Sequence, residues 1–282
     1  MSPTAHLAAA EELSVADIRK SLQERIARIT GQEGLPSPRQ SAPWHFGIAE
    51  IDAHLPKTGL AGNRLHEIAP ACAPDMPAAI GFAVSLAVRR SLTHQAPILW
   101  LSANRRMGEF GRPYGHGFKS LGLARQKWLT ARLHKPADML WALEQALRAK
   151  ALSLIIADAP ALAADLSLSR RLSLAAAEGG TPAILLCEHG FTGATATASR
   201  WQVKSIPSQP PQYDPLSPGA PSWALSLTRC RSGKPGEWHV EWHHATHHFH
   251  LVSRLQPQSA RDPMPETEAR FSRQARPALR VS

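Results

Sequence analysis

Apolar residues along the chain follow two different periods, and the change comes near residue 199. Between residues 65 and 187, short apolar runs of strand length alternate with longer amphipathic segments. After residue 199, apolar and polar positions alternate, and tight turns separate the runs. Continuous apolar strands between helices are typical of a parallel sheet covered on both faces, whereas alternation is typical of antiparallel strands. The pattern predicts an α/β fold with mostly parallel strands, flanking helices, and antiparallel strands added at the C-terminal edge.

The boundaries of the predicted elements follow from the apolar runs and from proline and glycine positions. Pro136 suits the first turn of a helix, and the pair Gly179-Gly180 ends one. The predicted strands of the first region are 65–68, 97–101, 152–157 and 182–187, and its predicted helices are 76–92, 136–150 and 166–178. The second region is predicted to contain four antiparallel strands, at 200–206, 223–230, 236–243 and 246–252.

Both ends of the chain differ from this central region. Residues 13–29 carry one apolar stripe on a charged helix, formed by Val15, Ile18, Leu22, Ile26 and Ile29. Such a helix docks either on its own domain or on a second molecule, and both alternatives stay open. A linker rich in glycine and proline follows at 31–43, and residues 256–282 are predicted to be a disordered tail. The predicted organisation is a helix and linker at 1–45, a domain at 46–255, and the tail.

The composition indicates a basic protein and argues against several protein classes. The 282 residues carry a formal net charge of +10, which favours a polyanionic partner, with nucleic acid first. Three cysteines without paired spacing, Cys72, Cys187 and Cys230, indicate neither a disulfide framework nor a zinc knuckle. No apolar run approaches the length of a membrane span, and no secretory leader pattern opens the chain. We therefore expect a cytoplasmic, nucleoid-associated protein without a membrane partner.

A phosphate-binding loop is missing where the surrounding pattern calls for one. Residues 58–68 form a predicted glycine turn and short strand, and a predicted helix opens after residue 77. In P-loop nucleotidases, a glycine-rich loop with a lysine holds the phosphates at this place. Residues 69–77 contain neither glycine nor lysine. We expect no cofactor and no metal here, and residual nucleotide binding stays an open alternative.

Several ordered segments then identify a family resemblance. The segments are 59–60 with 65–67, Gly111-Arg112-Pro113-Tyr114, 137–148, 169–172, 227–233, and 238–242 before 245–247. From about Ile48 to Leu255, the chain resembles the ImuA family, the RecA-like accessory proteins of bacterial damage-induced mutagenesis cassettes. None of these segments is a catalytic signature.

The resemblance implies a RecA-like fold that is used without catalysis. It implies an adaptor in SOS-induced, error-prone translesion synthesis at damaged DNA. The implied partners are ImuB, which is an inactive Y-family polymerase homologue, and an error-prone replicative-type polymerase; RecA, single-stranded DNA and a second copy of the chain are further candidates. Two alternatives remain open: a SulA-like inhibitor of a cytoskeletal GTPase, and a degenerate RecA-like ATPase. The net charge favours the adaptor over the inhibitor.

Catalytic candidates are few. Asp158 ends an apolar strand, where RecA-like ATPases keep an acid that orients magnesium. The position of the base that polarises water holds Asn104 instead, and an amide takes up no proton near neutral pH. We therefore expect no hydrolysis and interpret Asp158 as a strand-end residue.

Candidate nucleic-acid contacts follow the ends of predicted strands. Ligands of open α/β sheets bind at the carboxyl ends of strands. The candidates there are Arg105, Arg106, Arg112 and Lys119 after one strand, and Phe191, Arg200 and Lys204 in and beyond the loop at 190–200. One aromatic ring is a weak signal for a single-strand platform, so a surface loop without DNA contact remains an equal alternative.

A histidine-rich segment at 238–250 is the remaining candidate for chemistry. On a predicted hairpin, its histidines fall on both faces and in the turn, and their spacing does not converge on one point. No cysteine pairing supports zinc. We interpret the segment as a solvated hairpin end rather than a metal site.

Overall fold

The protein was analysed as a computed structural model, which describes residues 42–103, 114–123, 127–158, 165–188, 193–210, 213–214 and 217–252. The described residues up to Val252 belong to one compact unit. Within them, the strands are β1 (Leu65–Pro70), β2 (Ile98–Ala103), β3 (Trp128–Leu133), β4 (Leu154–Asp158), β5 (Ala183–Leu186), β6 (Ser199–Ser205), β7 (Ser222–Cys230), β8 (Gly236–His243) and β9 (His248–Leu251). The helices are α1 (Ala49–Asp52), α2 (Met76–Thr93), α3 (Gly115–Ser120), α4 (Pro136–Arg148) and α5 (Leu166–Gly179), with 3-10 turns at Pro56–Thr58 and Ala73–Asp75.

All described strands join one sheet in the order β3-β2-β4-β5-β1-β6-β7-β8-β9. The first six strands in this order run parallel, and β7, β8 and β9 continue the sheet in antiparallel pairing. The predicted fold class is confirmed. One detail of the prediction is wrong: β6 was expected to belong to the antiparallel group, but it pairs parallel with β1. Strand direction is set by the connection to the partner strand, which alternation within a strand does not reveal.

The two faces of the sheet have separate cores. Helices α4 and α5 cover one face, where their leucines pack on the apolar side chains of β2, β4 and β5. Helix α2 covers the other face, and its residues 82–88 are buried all around. A helix that is apolar on every side needs cover on every side. Strands β7 to β9 supply that cover, since Phe249 lies 5.7 Å from Phe82 between ring centroids.

Residues 42–48, before α1, form a segment that we call the strap, which packs on the face of the sheet that α2 covers. Trp44 pairs with Leu60 in an isolated bridge, and the fully buried Phe46 lies 5.0 Å from the ring of Trp201. Arg90 of α2 donates a hydrogen bond to the carbonyl of Ala42 and stacks on Trp44 at 5.1 Å. The core of the described residues therefore includes Trp44.

The sequence pattern missed the four-residue helix α1, and it also missed β3 and α3. Strand β3 is an edge strand whose buried positions are interrupted by exposed Thr130 and Arg132. Helix α3 spans six residues and contains two glycines, which have low helix propensity. Both elements are stabilised by tertiary contacts: the ring of Phe118 in α3 lies 4.3 Å from that of Trp128 in β3.

Candidate functional site at the carboxyl ends of the parallel strands

A buried carboxylate occupies the turn between β1 and α2, where a P-loop protein would hold phosphate. Asp75 ends the 3-10 turn directly before α2 and is 6% exposed. Its carboxylate accepts hydrogen bonds from the backbone N–H of Ser205, at 2.9 Å, and from the Cys72 thiol, at 3.0 Å. The backbone N–H of Ala71 is also occupied, because it donates to the carbonyl of Val203 at 2.8 Å. The Asp75 carboxylate and the Ala71 N–H are therefore both bonded within the protein.

The charge of Asp75 is unfavourable for phosphate. Burial raises the pKa of Asp75, but the hydrogen bonds from Cys72 and Ser205, together with nearby Lys204, outweigh burial and hold the pKa below its ordinary value. The hydrogen bond to Asp75 raises the pKa of the Cys72 thiol, which stays protonated and keeps donating. An ionised carboxylate at the start of α2 interacts well with the helix dipole and repels an anion. Asp75 was not among the sequence candidates, although an acid just before a Met-Pro helix start is a usable signal.

The predicted strand-end position of Asp158 is confirmed. Asp158 is the last residue of β4, lies beside Ser102 of β2 and Leu186 of β5, and is 7% exposed. Asn104 lies outside the described residues. Between residues 65 and 76, all of which are described, the turn after β1 contains no phosphate cradle with which Asp158 could act.

A buried ion pair joins β1 to β6 on the α5 face of the sheet. Glu67 is fully buried, and its carboxylate accepts a hydrogen bond from Nε of Arg200 at 2.5 Å. Arg200 also donates through Nη2 to the carbonyl of Gly193 and to Oγ1 of Thr195, both at 2.9 Å. Arg229 of β7 donates to the carbonyl of Thr195 at 2.8 Å. Two arginines thus fasten the segment that leads into β6.

This geometry changes the role of Arg200. The sequence prediction placed Arg200 at a nucleic-acid surface, but the side chain is about one-tenth exposed and its guanidinium is engaged inside the protein. Its Nε and Nη2 donate to Glu67, Gly193 and Thr195 inside the protein, so little of the side chain faces solvent. We therefore assign Arg200 to anchoring the segment at 193–197.

A chain of hydrogen bonds on the opposite face holds His66 in one tautomer. Nε2 of His66 donates to the carbonyl of Ala61 at 3.0 Å, and Ser199 donates to Nδ1 at 2.7 Å. Trp201 completes the chain by donating from Nε1 to the Ser199 oxygen at 3.0 Å. Burial lowers the pKa of His66 from 6.5 to about 4, so the ring is neutral at physiological pH. The Leu-His-Glu segment at 65–67 is thus a structural motif.

The remaining predicted cations lie in different surroundings. Lys119 is exposed on α3, whereas Lys204 is exposed at the end of β6 beside Asp75. Arg105, Arg106, Arg112 and Phe191 lie outside the described residues, as does the predicted N-terminal stripe of Val15, Ile18, Leu22, Ile26 and Ile29. The structure does not bring Lys119 and Lys204 together into one described site.

The tip of the β8–β9 hairpin lies against α3. Nδ1 of His244 donates to the carbonyl of Ser120 at 3.3 Å. The ring of His247 packs against Gly122, where a Cβ atom would fall inside the ring's van der Waals radius. Gly122 has a φ of +105°, a conformation that favours glycine. The hairpin is thus attached to the elements that follow β2, which the sequence did not indicate.

Other classes of site are not found in the described part of the chain. There, no group of three or more histidine, cysteine, aspartate or glutamate side chains is placed to hold a metal ion. The described helices also include none with the length and apolar character that a membrane crossing requires.

Comparison with known proteins identifies relatives. No family model matches the chain. Over 225 residues, the chain is 30% identical to Protein ImuA of Caulobacter vibrioides strain NA1000 / CB15N, and the match covers 74% of this chain and 88% of that protein. Protein ImuA of Caulobacter vibrioides strain ATCC 19089 / CIP 103742 / CB 15 matches with the same identity and coverage. With this identity over most of both proteins, the chain belongs to the ImuA family.

Proposed function

We propose that this protein is a non-catalytic adaptor in damage-induced, error-prone translesion DNA synthesis. In this role it joins an ImuB-like inactive polymerase homologue and an error-prone replicative-type polymerase at damaged DNA. Membership in the ImuA family supports a role in damage-induced mutagenesis. RecA and single-stranded DNA are further proposed partners.

The observation that carries the non-catalytic part is the ionised, buried carboxylate of Asp75 at the start of α2. At this turn the backbone N–H of Ala71 already donates to Val203, and Pro70, Pro74 and Pro77 have no N–H, so these four positions offer a triphosphate no backbone donor. It would also meet the like charge of the Asp75 carboxylate. An adaptor needs neither a bound nucleotide nor a general base.

Turnover of ATP tests the absence of catalysis. We expect the purified full chain to release phosphate at the background rate, with or without single-stranded DNA. The variant Asp158→Asn keeps the size of the buried side chain and removes the acid that a magnesium site would need. Its rate of phosphate release should equal the background rate expected for the parent. A turnover rate in the parent that Asp158→Asn abolishes would contradict the proposal.

Direct association tests the adaptor role. The full chain and the ImuB-like homologue from the same organism, each purified separately, should co-elute in size-exclusion chromatography. Adding the replicative-type polymerase should yield a complex of all three. An unrelated basic protein of similar net charge serves as the control for nonspecific adhesion. If the chain and the homologue elute separately at micromolar concentrations, the adaptor role is wrong.

A further inference from the structure

Helix α5 carries a large apolar side chain at the centre of its outer face. Five exposed side chains define this face: Ser167, Arg170, Arg171, Leu174 and Glu178. They recur every three or four residues and so share one side of the helix. At about 100° per residue, Leu174 lies in the middle of this side. Leu174 is 59% exposed, so it faces away from the core that α4 and α5 form with the sheet.

Opposite charges flank Leu174 symmetrically. Arg170 precedes it by four residues, and Glu178 follows it by four. Because four residues turn a helix by about 400°, Arg170 lies about 40° to one side of Leu174 and Glu178 about 40° to the other. A two-fold axis through Leu174, perpendicular to the helix, therefore places Arg170 of one copy opposite Glu178 of another. Two antiparallel copies of α5 would form one contact between leucines and two between opposite charges.

The ion pairs between α4 and α5 leave these two charges available. Glu144 of α4 pairs with Arg171 at 3.2 Å and with Arg148 at 3.4 Å. Arg148 also pairs with Glu178, but through only one oxygen of that carboxylate, so Glu178 has acceptor capacity for a second cation. Among the described residues, none forms an ion pair with Arg170. Arg170 of a second copy would thus extend the existing chain of ion pairs.

We propose that the outer face of α5 is the contact of a two-fold symmetric homodimer of this chain. An isologous contact requires a surface that is complementary to itself, and the order Arg170, Leu174, Glu178 has that property. An unrelated partner would not need opposite charges at equal distances on both sides of an apolar centre. The contact is separate from the predicted association through the N-terminal stripe. It goes beyond the proposed adaptor function and does not depend on it.

The small size of the contact makes this a weak dimer. Specific interfaces bury at least about 1,200 Å² in total, and a pair of single helices lies at or below this limit. Exposed ion pairs add little strength and are screened by salt. We expect a dissociation constant of about 100 µM at low salt. At a few micromolar, where association through the N-terminal stripe is measured, this contact contributes little.

Two single charge reversals test the contact by complementation, with sedimentation equilibrium of the full chain as the measurement. Arg170→Glu faces Glu178 of the second copy, and Glu178→Arg faces Arg170, so each should raise the dissociation constant about tenfold. When the two variants are mixed, opposite charges meet again in both pairs. A fluorescent label on one variant should then reveal a heterodimer with a dissociation constant close to that of the parent dimer. Leu174→Asp should leave the protein monomeric, because two carboxylates would meet at the centre of the contact.

Matched controls separate this contact from general effects of charge and exposure. Lys119→Glu, on α3, changes the net charge as Arg170→Glu does. Leu92 is 50% exposed near the end of α2, which covers the opposite face of the sheet, so Leu92→Asp matches Leu174→Asp. Both control variants should keep the parent dissociation constant.

Melting temperatures show whether the α5 variants are folded. Glu178→Arg also loses its half-exposed pair with Arg148, which should cost little stability. If it nevertheless melts below the parent, Arg170→Gln and Leu174→Ser take its place, since neither changes the Arg148–Glu178 pair. Each of these two should still raise the dissociation constant.

Three results would overturn the inference. They are a parent that stays monomeric at several times the expected dissociation constant, α5 variants that associate as the parent does, and a mixture of the two charge reversals that forms no heterodimer. Association with the ImuB-like homologue is measured separately, at a few micromolar. Absence of the α5 dimer with an intact protein complex therefore refutes this inference alone.

Discussion

Two pairs of polar side chains, one on each face of the sheet, join neighbouring positions of β1 and β6. His66 lies directly beside Ser199, and Glu67 lies directly beside Arg200. Each pair is hydrogen-bonded across the strands, at 2.7 Å and 2.5 Å. A shift of one residue in strand register would move every side chain to the opposite face. Both pairs would then be broken, so together they specify how β6 docks on β1.

Burial of neutral His66 predicts a dependence of stability on pH. The pKa of His66 is about 4 in the folded protein against 6.5 as its ordinary value. The unfolded state therefore binds a proton more readily, and the stabilising contribution is fully present above pH 6.5. It is lost as the pH falls towards 4, by about 3 kcal/mol in all. The free energy of unfolding, measured in urea from neutral pH to about pH 4, should fall less in His66→Gln than in the parent. An equal dependence of the unfolding free energy on pH in the two proteins would refute the burial of neutral His66 as its cause.

The Glu67–Arg200 pair predicts a strong asymmetry between single and double variants. Arg200→Met leaves the Glu67 carboxylate buried without its cation, which should cost about 3 to 5 kcal/mol of unfolding free energy. Adding Glu67→Gln removes that charge and should restore part of the loss. The surface pair of Arg171 and Glu144, where the arginine is half exposed, serves as the control, and Arg171→Met should cost less than about 1 kcal/mol. Additive effects in the buried pair would show that the two side chains are not coupled.

Residue-scale features of this kind were the least predictable from sequence. Arg200 was predicted to be a surface cation, because arginine is usually exposed and its partner is 133 positions away in the chain. The Leu-His-Glu segment carried part of the family resemblance, but nothing local indicated that His66 and Glu67 point to opposite faces with separate partners on β6. By contrast, the absence of a phosphate cradle at 69–77 was predictable, since it depends only on which residue types are present.

At the scale of elements, the long apolar segments were predicted well and the short polar ones were not. Helix α2 and strands β2, β4 and β5 have apolar runs that local sequence makes evident, and their bounds differ from prediction by a few residues at most. Helix α3 has no such run. Its position depends on Phe118 packing against Trp128 and on the contact with the hairpin tip.

Two glycines at the ends of α3 test whether the hairpin docks there. At Gly122, a Cβ atom would collide with the His247 ring, and its φ of +105° strains other residues, so Gly122→Ala should lower the unfolding free energy by about 1 to 3 kcal/mol. At Gly115, a Cβ atom meets nothing within 4 Å. Gly115→Ala should therefore be neutral, or stabilising by up to about 1 kcal/mol, because alanine favours helix. Thermal unfolding compares the two variants, and equal melting temperatures would argue against the docked hairpin.

At the scale of the whole molecule, the sequence predicted the sheet and its flanking helices better than it predicted which distant segments meet around α2. The change of hydrophobic period near residue 199 located the point after which the described chain contains strands and no further helix, and β7 to β9 extend the sheet there. The enclosure of α2 by the strap and the hairpin was not predictable. It depends on side chains such as Phe46, Phe82 and Phe249, which meet from three distant segments. Arg90 of α2 adds a further contact at the start of the described chain, where it donates a hydrogen bond to the carbonyl of Ala42.

The N-terminal stripe gives the last prediction, which concerns assembly. Its residues Leu22 and Ile26 precede Ala42 by a linker of about a dozen residues, which spans up to about 40 Å when extended and so reaches a neighbouring molecule. We expect the stripe to mediate self-association, and Leu22→Asp with Ile26→Asp would place charges in that apolar contact. The variant should sediment as a monomer while its melting temperature stays that of the parent, because a stripe that packs on a second copy contributes no contact to the core of its own domain. A parent that is already monomeric, or a variant with a strongly lowered melting temperature, would show instead that the stripe folds onto its own domain.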